Sequence, residues 1–91
     1  MAVTDVLFVS QEEVPQLLPM PACIEAMERA LSALARGEAQ LPLRSILWLP
    51  GKSGALGLMP ASIAPDRVLG VKVISFFHGN EGTELDTHQG A

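Results

Sequence analysis

The nine-residue stretch Leu69 to Phe77, L-G-V-K-V-I-S-F-F, constrains the fold more than any other part of this 91-residue chain. Its β-branched and aromatic content specifies a strand. Successive side chains of a strand point to opposite faces, so Leu69, Val71, Val73, Ser75 and Phe77 share one side. Lys72 falls on the other, with Val68, Ile74 and Phe76. An ammonium flanked by apolar neighbours loses hydration unless a carboxylate, a ligand or a water-lined cleft receives it. A lysine can also run its methylenes along apolar surface and leave its head in water. The stretch admits both readings, and Lys72 is the first functional candidate.

The preceding residues supply the elements this strand needs. Val6 to Val9 is a short apolar run that suits a buried first strand. Ser10-Gln-Glu-Glu13 matches a capping box, with Val9 and Val14 placed as a hydrophobic staple, and Pro15 limits the helix that follows to a short one ending near Leu18. Pro21 suits the first position of a longer helix, Ala22 to Ala35. There Cys23, Met27, Ala30 and Leu34, widened by Ile24 and Leu31, form a stripe at helical spacing expected to be core, and Glu25 and Arg29 pair outside it. Gly37 caps its end. Arg44 to Leu49 and Ala55 to Met59 read as a hairpin turning through Gly51 to Gly54, and Pro60 to Arg67 reads as a loop. After Phe77, His78 to Asp86 is a long polar connection of the kind that often lines a site.

These elements give an α+β architecture, two N-terminal helices packed on a small, mainly antiparallel sheet. A chain of this length makes one small domain that buries roughly 60 to 65 % of its unfolded surface, so stability is marginal without a partner. Hydrophobic residues form 48 % of the sequence and charged residues 18 %, which excludes a disordered chain and predicts a packed core. The net charge of −4, without a basic cluster, excludes a phosphate-backbone footprint and hence nucleic acid as a partner. The lone Cys23 cannot form an internal disulfide and fits a reducing compartment. With no leader pattern and no apolar run near the ~18 residues of a membrane span, the expected location is cytoplasmic and soluble.

Several motifs can be set aside. Gly51-Lys52-Ser53 resembles the tail of a phosphate-binding loop, but Ile46 stands where that pattern requires glycine. No G-x-G-x-x-G occurs, so the chain has no dinucleotide fingerprint of its own. His78 and His88, without further Cys or His nearby, form no metal-ligand pattern. A Ser-His-Asp triad cannot be assembled from residues whose spatial adjacency the sequence does not give.

A set of motifs in order carries a resemblance. L-P-M-P-A-C-I-E-A-M-E-R-A at Leu18 to Ala30, Arg44 opening a strand, L-M-P-A at Leu58 to Ala61, G-V-K-V-I-S at Gly70 to Ser75, Gly79-Asn80, and T-H-Q-G at Thr87 to Gly90 together resemble the ornithine cyclodeaminase/mu-crystallin family. G-V-K followed by T-H-Q-G is the specific part of this signature.

The resemblance implies that residues 1–91 are the N-terminal substrate-binding and dimerisation portion, an incomplete fragment, of a two-domain protein whose other part is a Rossmann domain holding NAD(H) or NADP(H). It further implies a homodimer that closes the sheet and protects its edges. Arg44 and Lys72 match the family positions that bind the carboxylate of a small amino or imino acid, and Thr87 matches the threonine beside the cofactor. The family reaction converts ornithine to proline with loss of ammonia, by way of hydride transfer. Its second arginine and acid/base aspartate have no counterpart within residue 91, so no catalytic residue is assigned here and the fragment alone is expected to be inactive. His88 and Met59 are read as structural. A mu-crystallin-like ligand binder and a dimerising remnant without catalysis are the alternatives.

Overall fold

Ser10 and Glu13 close a capping box in the computed structural model, which describes residues 4–91. The Ser10 amide donates to Glu13 Oε1 at 2.9 Å and the Glu13 amide to Ser10 Oγ at 3.2 Å, satisfying two donors that a helix start leaves free. A single turn of helix, α1 (Val14–Leu17), follows. The longer α2 (Met20–Ala35) carries Pro21 in its first turn, where a missing amide removes no bond. It ends on Gly37, whose φ of 75° is the left-handed conformation that glycine adopts without strain. The Glu38 amide reaches back to the Ala33 carbonyl at 2.9 Å and the Gly37 amide to Leu34 at 3.1 Å, the paired bonds of a Schellman end.

The chain divides into two units, Met1–Ser32 and Ala33–Ala91. In the first, two expectations are corrected. Val6 to Val9 forms no strand and stays exposed, Phe8 at 84 %. Strand propensity is realised only where a neighbouring strand accepts the ladder, and among the described residues none pairs with this segment. On α2, protection follows the small residues Cys23, Ala26 and Ala30, continuing to Ala33 at 3 % exposure, while Ile24, Met27, Leu31 and Leu34 stand exposed. Both sets repeat at helical spacing, and the less exposed side of the helix is the one made of small residues. No helix among the described residues is long and apolar enough to cross a membrane.

The second unit is built on a five-stranded antiparallel sheet: β1 (Ala39–Gln40), β2 (Ser45–Trp48), β3 (Ala55–Ile63), β4 (Val68–Phe76) and β5 (His88–Gly90). Their order is β1-β3-β4-β5, with β1 and β2 sharing one edge of β3. The expected hairpin from β2 to β3 forms, with a short 3-10 turn at Pro50–Lys52 and the Leu49 amide bonded to the Gly54 carbonyl at 2.9 Å. β3 runs beyond the predicted end at Met59 as far as Ile63, through Pro60. Proline is tolerated there because β2 pairs only as far as Leu58 and β1 begins at Ser62, so the missing amide faces a break between neighbours.

The packed core expected from composition is nearly absent among the described residues. Ala33 and Ala55 are its buried apolar residues among those described, while Leu69 is 83 % and Val71 55 % exposed on the sheet. A sheet must cover its apolar face with another layer, and this one carries large side chains on both sides.

Candidate functional site

The register of three strands decides which side chains meet. Met59 on β3 lies directly opposite Lys72 on β4, and Ser45 on β2 opposite Leu58. Arg44 immediately precedes β2, the strand on the other side of β3. Met59 and Lys72 form one rung, and Arg44 lines the same hollow with them. Two cations from the strands flanking β3 suit one small anion.

Alternation places two more rungs on this face. Ile46, Gly57, Ile74 and Gly90 make the second; Trp48, Ala55, Phe76 and His88 make the third. Apart from Gly90, these residues line a hollow of about 340 Å³, a volume suited to a small molecule. β3 supplies its floor, and the two smallest floor residues, Ala55 and Gly57, are buried.

The hollow has a charge imbalance. Arg44, Lys72 and His88 are its ionisable residues, and no Asp or Glu lines it. Among the described residues the ion pair is Arg36–Glu38 at 3.0 Å, in the connection after α2, where the carboxylate raises the guanidinium pKa above its ordinary value. Neither Arg44 nor Lys72 has such a partner among those residues. Two cations lining one hollow without a carboxylate can receive one from a ligand, the guanidinium as a planar fork and the ammonium as a point charge.

The connection after β4 brings the T-H-Q-G residues alongside. A 3-10 turn, His78–Asn80, is followed by a loop in which Asn80 Nδ2 donates to the Asp86 carbonyl at 3.0 Å and Thr83 Oγ1 to the Asn80 carbonyl at 2.7 Å. The Phe77 amide then bonds the Thr87 carbonyl at 2.8 Å, and β5 pairs with β4. His88 enters the hollow, its ring 4.4 Å from that of Phe76 and its Nδ1 3.1 Å from the Thr87 hydroxyl. Thr87 itself is half-buried and stands just outside the lining. The structure therefore brings Arg44 and Lys72 to one hollow, leaves Thr87 outside its lining next to His88 at the opposite end, and adds Trp48, Phe76 and His88, which the sequence alone does not assign to a site. Among the described residues no cluster of His, Cys, Asp or Glu could hold a metal ion.

Residues 4–91 match the family described as ornithine cyclodeaminase/mu-crystallin. The chain belongs to that family. Its similarity to ketimine reductase mu-crystallin is 31 % identity over 86 residues for the protein of Mus musculus and 29 % for that of Rattus norvegicus. In each case the match covers 90 % of this chain and 28 % of the relative, so the chain spans about a quarter of their length. Two solved structures share its fold. Thermococcus litoralis Δ1-pyrroline-2-carboxylate reductase, in complex with NADH and L-proline, superposes with a TM-score of 0.81 at 30 % identity, over 93 % of this chain and 26 % of that one. An archaeal alanine dehydrogenase dimer with bound NAD gives 0.74 at 32 % identity, over 88 % and 24 %. Within this family match, the chain carries G-V-K on β4 and T-H-Q-G leading into β5, two of the strands that line the hollow.

Proposed function

We propose that this chain is the acid-holding part of a nicotinamide-dependent oxidoreductase acting on a small amino or imino acid, with Arg44 and Lys72 clamping the substrate carboxylate. The observation that carries this reading is the shared hollow: both cations line it, and neither has a carboxylate partner among the described residues. Support comes from the solved relatives, one of which binds NADH and L-proline and another NAD. Ornithine, converted to proline with loss of ammonia, and cyclic imino acids are the candidate substrates of this class.

The residues present fit one end of a nicotinamide cofactor. The Thr87 hydroxyl and the flat Phe76 and His88 rings offer a hydrogen-bonding group and stacking surface for an amide-bearing ring at the border of the hollow. The sequence has no G-x-G-x-x-G turn for a pyrophosphate, which in this reading belongs to a Rossmann domain outside the 91 residues. When bound, the cofactor supplies the hydride chemistry. The chain's own part is to fix the acid: the guanidinium and the ammonium orient the carboxylate, and the apolar walls Ile46 and Ile74 exclude water from the carbon skeleton beside it. A second copy of the chain covers the aliphatic face of the sheet, giving a homodimer.

The test is binding of L-proline and of its neutral amide, followed through the fluorescence of the single tryptophan, Trp48. The acid is expected to bind and the amide to bind at least about tenfold more weakly, since a hydrogen bond to a charged group contributes about 1.5 to 3 kcal/mol. Lys72→Ala should abolish the difference. Equal affinity of the variant and the parent chain for L-proline would overturn the clamp.

A further inference from the structure

We infer that Pro42 and Pro60 form a register stop that keeps β2 turned with Arg44 toward the hollow. For its bearing on acid binding the inference rests on the clamp proposed above; for the register it rests on the strand ladders alone. β1 and β2 lie on the same edge of β3 but in different registers. Gln40 opposes Ser62 and Ser45 opposes Leu58, so residues 41–44 face residues 59–61 with one residue in excess, the count of a β-bulge. Counted forward from β1 by alternation, Arg44 falls on the side of Gln40, away from the hollow. Counted back from β2 it falls with Ile46 and Trp48, and all three line the hollow. The register that prevails decides where Arg44 emerges.

The prolines decide in favour of β2. Alternate residues of an antiparallel strand direct both backbone groups to the same neighbour. At the two ends of β3, the Gly54 carbonyl accepts from the Leu49 amide and the Ala64 amide donates to the Glu38 carbonyl, both at 2.9 Å. β3 pairs with β4 without interruption, so Pro60, in step with both residues, is directed to that same edge. If the β1 register ran on, Pro60 would oppose Pro42, and a pair that should exchange two hydrogen bonds would have no donor. In the β2 register Pro60 would oppose Leu43, which has an amide to give. The β1 register therefore stops here. Pro42 and Pro60 are neighbours in space as well, lining one small cavity of about 120 Å³ with Gln40 and Ser62.

The hairpin turn would not prevent a slip. The present register leaves residues 50–53 to close it and the β1 register would leave residues 49–53, and loops of both lengths are common. A slip of one residue carries every side chain of a strand to the opposite face. Ser45 and Leu47 would enter the hollow, and Arg44, Ile46 and Trp48 would leave it. Pro42 and Pro60 are thus positioning residues for Arg44.

The test gives both positions an amide, in Pro42→Val combined with Pro60→Val, and reads the register from proton–proton contacts by NMR. An unbroken ladder from Ala39 to Trp48 then gains two bonds and loses the bulge. The parent chain should show α-proton contacts between Ile46 and Gly57 and between Trp48 and Ala55, the non-hydrogen-bonded pairs of this ladder. The double variant should replace them by contacts of Ser45 with Gly57 and of Leu47 with Ala55. It should keep the contacts between β3 and β4 and bind L-proline at least about tenfold more weakly. N-methylalanine at both positions, introduced by chemical synthesis, lacks the amide hydrogen and the ring alike. That chain should keep the parent register and affinity, which a role of the rings in packing would not allow. Parent contacts in the double variant would overturn the inference, as would a lost register in the N-methylalanine chain. Loss of the contacts between β3 and β4 in the double variant would overturn it too, since a slip leaves that ladder untouched. A slipped register with unchanged L-proline affinity would leave the register stop standing and remove Arg44 from the clamp.

Discussion

The two faces of the sheet are made by the same strands yet have opposite chemistry. On one, Arg44, Lys72 and His88 alternate with glycines and aromatic residues around a hollow. On the other, Leu47, Leu56, Leu58, Leu69 and Val71 present an aliphatic surface whose side chains are all exposed. A period of two residues separates them, so each strand contributes to both. The contrast is one of chemistry. A hollow with unpaired cations suits a small anion, the role proposed for it; a broad aliphatic surface without charge suits another protein layer, since isolated chains seldom leave large contiguous apolar patches in water.

The largest effect should come from breaking the aliphatic face. If a second copy covers it, Leu58→Asp buries an unpaired carboxylate in the interface, and two-fold symmetry buries it twice. At several kcal/mol for each buried charge, the dimer should weaken by at least on the order of a thousandfold. Sedimentation velocity should show a monomer where the parent chain dimerises, with L-proline binding retained. Loss of acid binding together with the dimer would show that the two faces are not separable in function. Arg44→Lys probes the other side of the contrast and should act more mildly. The charge remains but the planar fork is lost, so acid affinity should fall roughly tenfold, with the oligomeric state unchanged.

How much of this contrast the sequence contained depends on the range of the contacts involved. The alternation in Leu69–Phe77 is local, and it sorted Lys72 with Ile74 and Phe76 as the structure does. The capping box at Ser10 and the glycine end of α2 are local as well, and both hydrogen-bond patterns are present. His88 was not legible as a lining residue, because its place depends on how an eleven-residue connection, Phe77 to Thr87, folds back to pair β5 with β4. Trp48 depended on the register of the hairpin rather than on its existence. The strand predicted at Val6–Val9 failed for the same reason in reverse: its own residues favour a strand, but a ladder needs a partner edge. Pro60 misled because proline argues against a central strand unless its amide faces a gap, and the break between β1 and β2 is invisible from residues 60–67.

A subtler test concerns the third cation near the hollow. Lys52 lies with its Nζ 5.8 Å from the Trp48 ring centroid, yet it is not among the lining residues. If Arg44 and Lys72 alone recognise the acid, Lys52→Met should leave L-proline affinity within about twofold. It should alter Trp48 emission and lower stability by no more than about 0.5 to 1 kcal/mol, the usual contribution of an exposed cation–π contact. A larger loss of acid binding would extend the recognition surface to the hairpin turn and blur the division between its ends.

The smallest predicted effect lies outside the sheet and serves as its control. The Ser10 amide and hydroxyl hold the Glu13 carboxylate, in that order of influence, and lower its pKa below the ordinary carboxylate value. A group whose folded pKa is depressed adds stability that is present above its unfolded pKa, about 4.3 for a glutamate, and is lost as pH falls through the lower folded value. The start of α1 should therefore fray only in acid, which an amide-resolved NMR titration of Ser10 and Glu13 can follow. Ser10→Ala removes the hydroxyl contribution but keeps the backbone amide, so the Glu13 midpoint should rise part of the way toward its ordinary value. Because the box belongs to the first unit, and both faces of the sheet to the second, neither acid affinity at neutral pH nor the oligomeric state should follow this change. A shift in either would mean that the contrast between the faces is maintained from the N-terminal segment and not by the register of the strands.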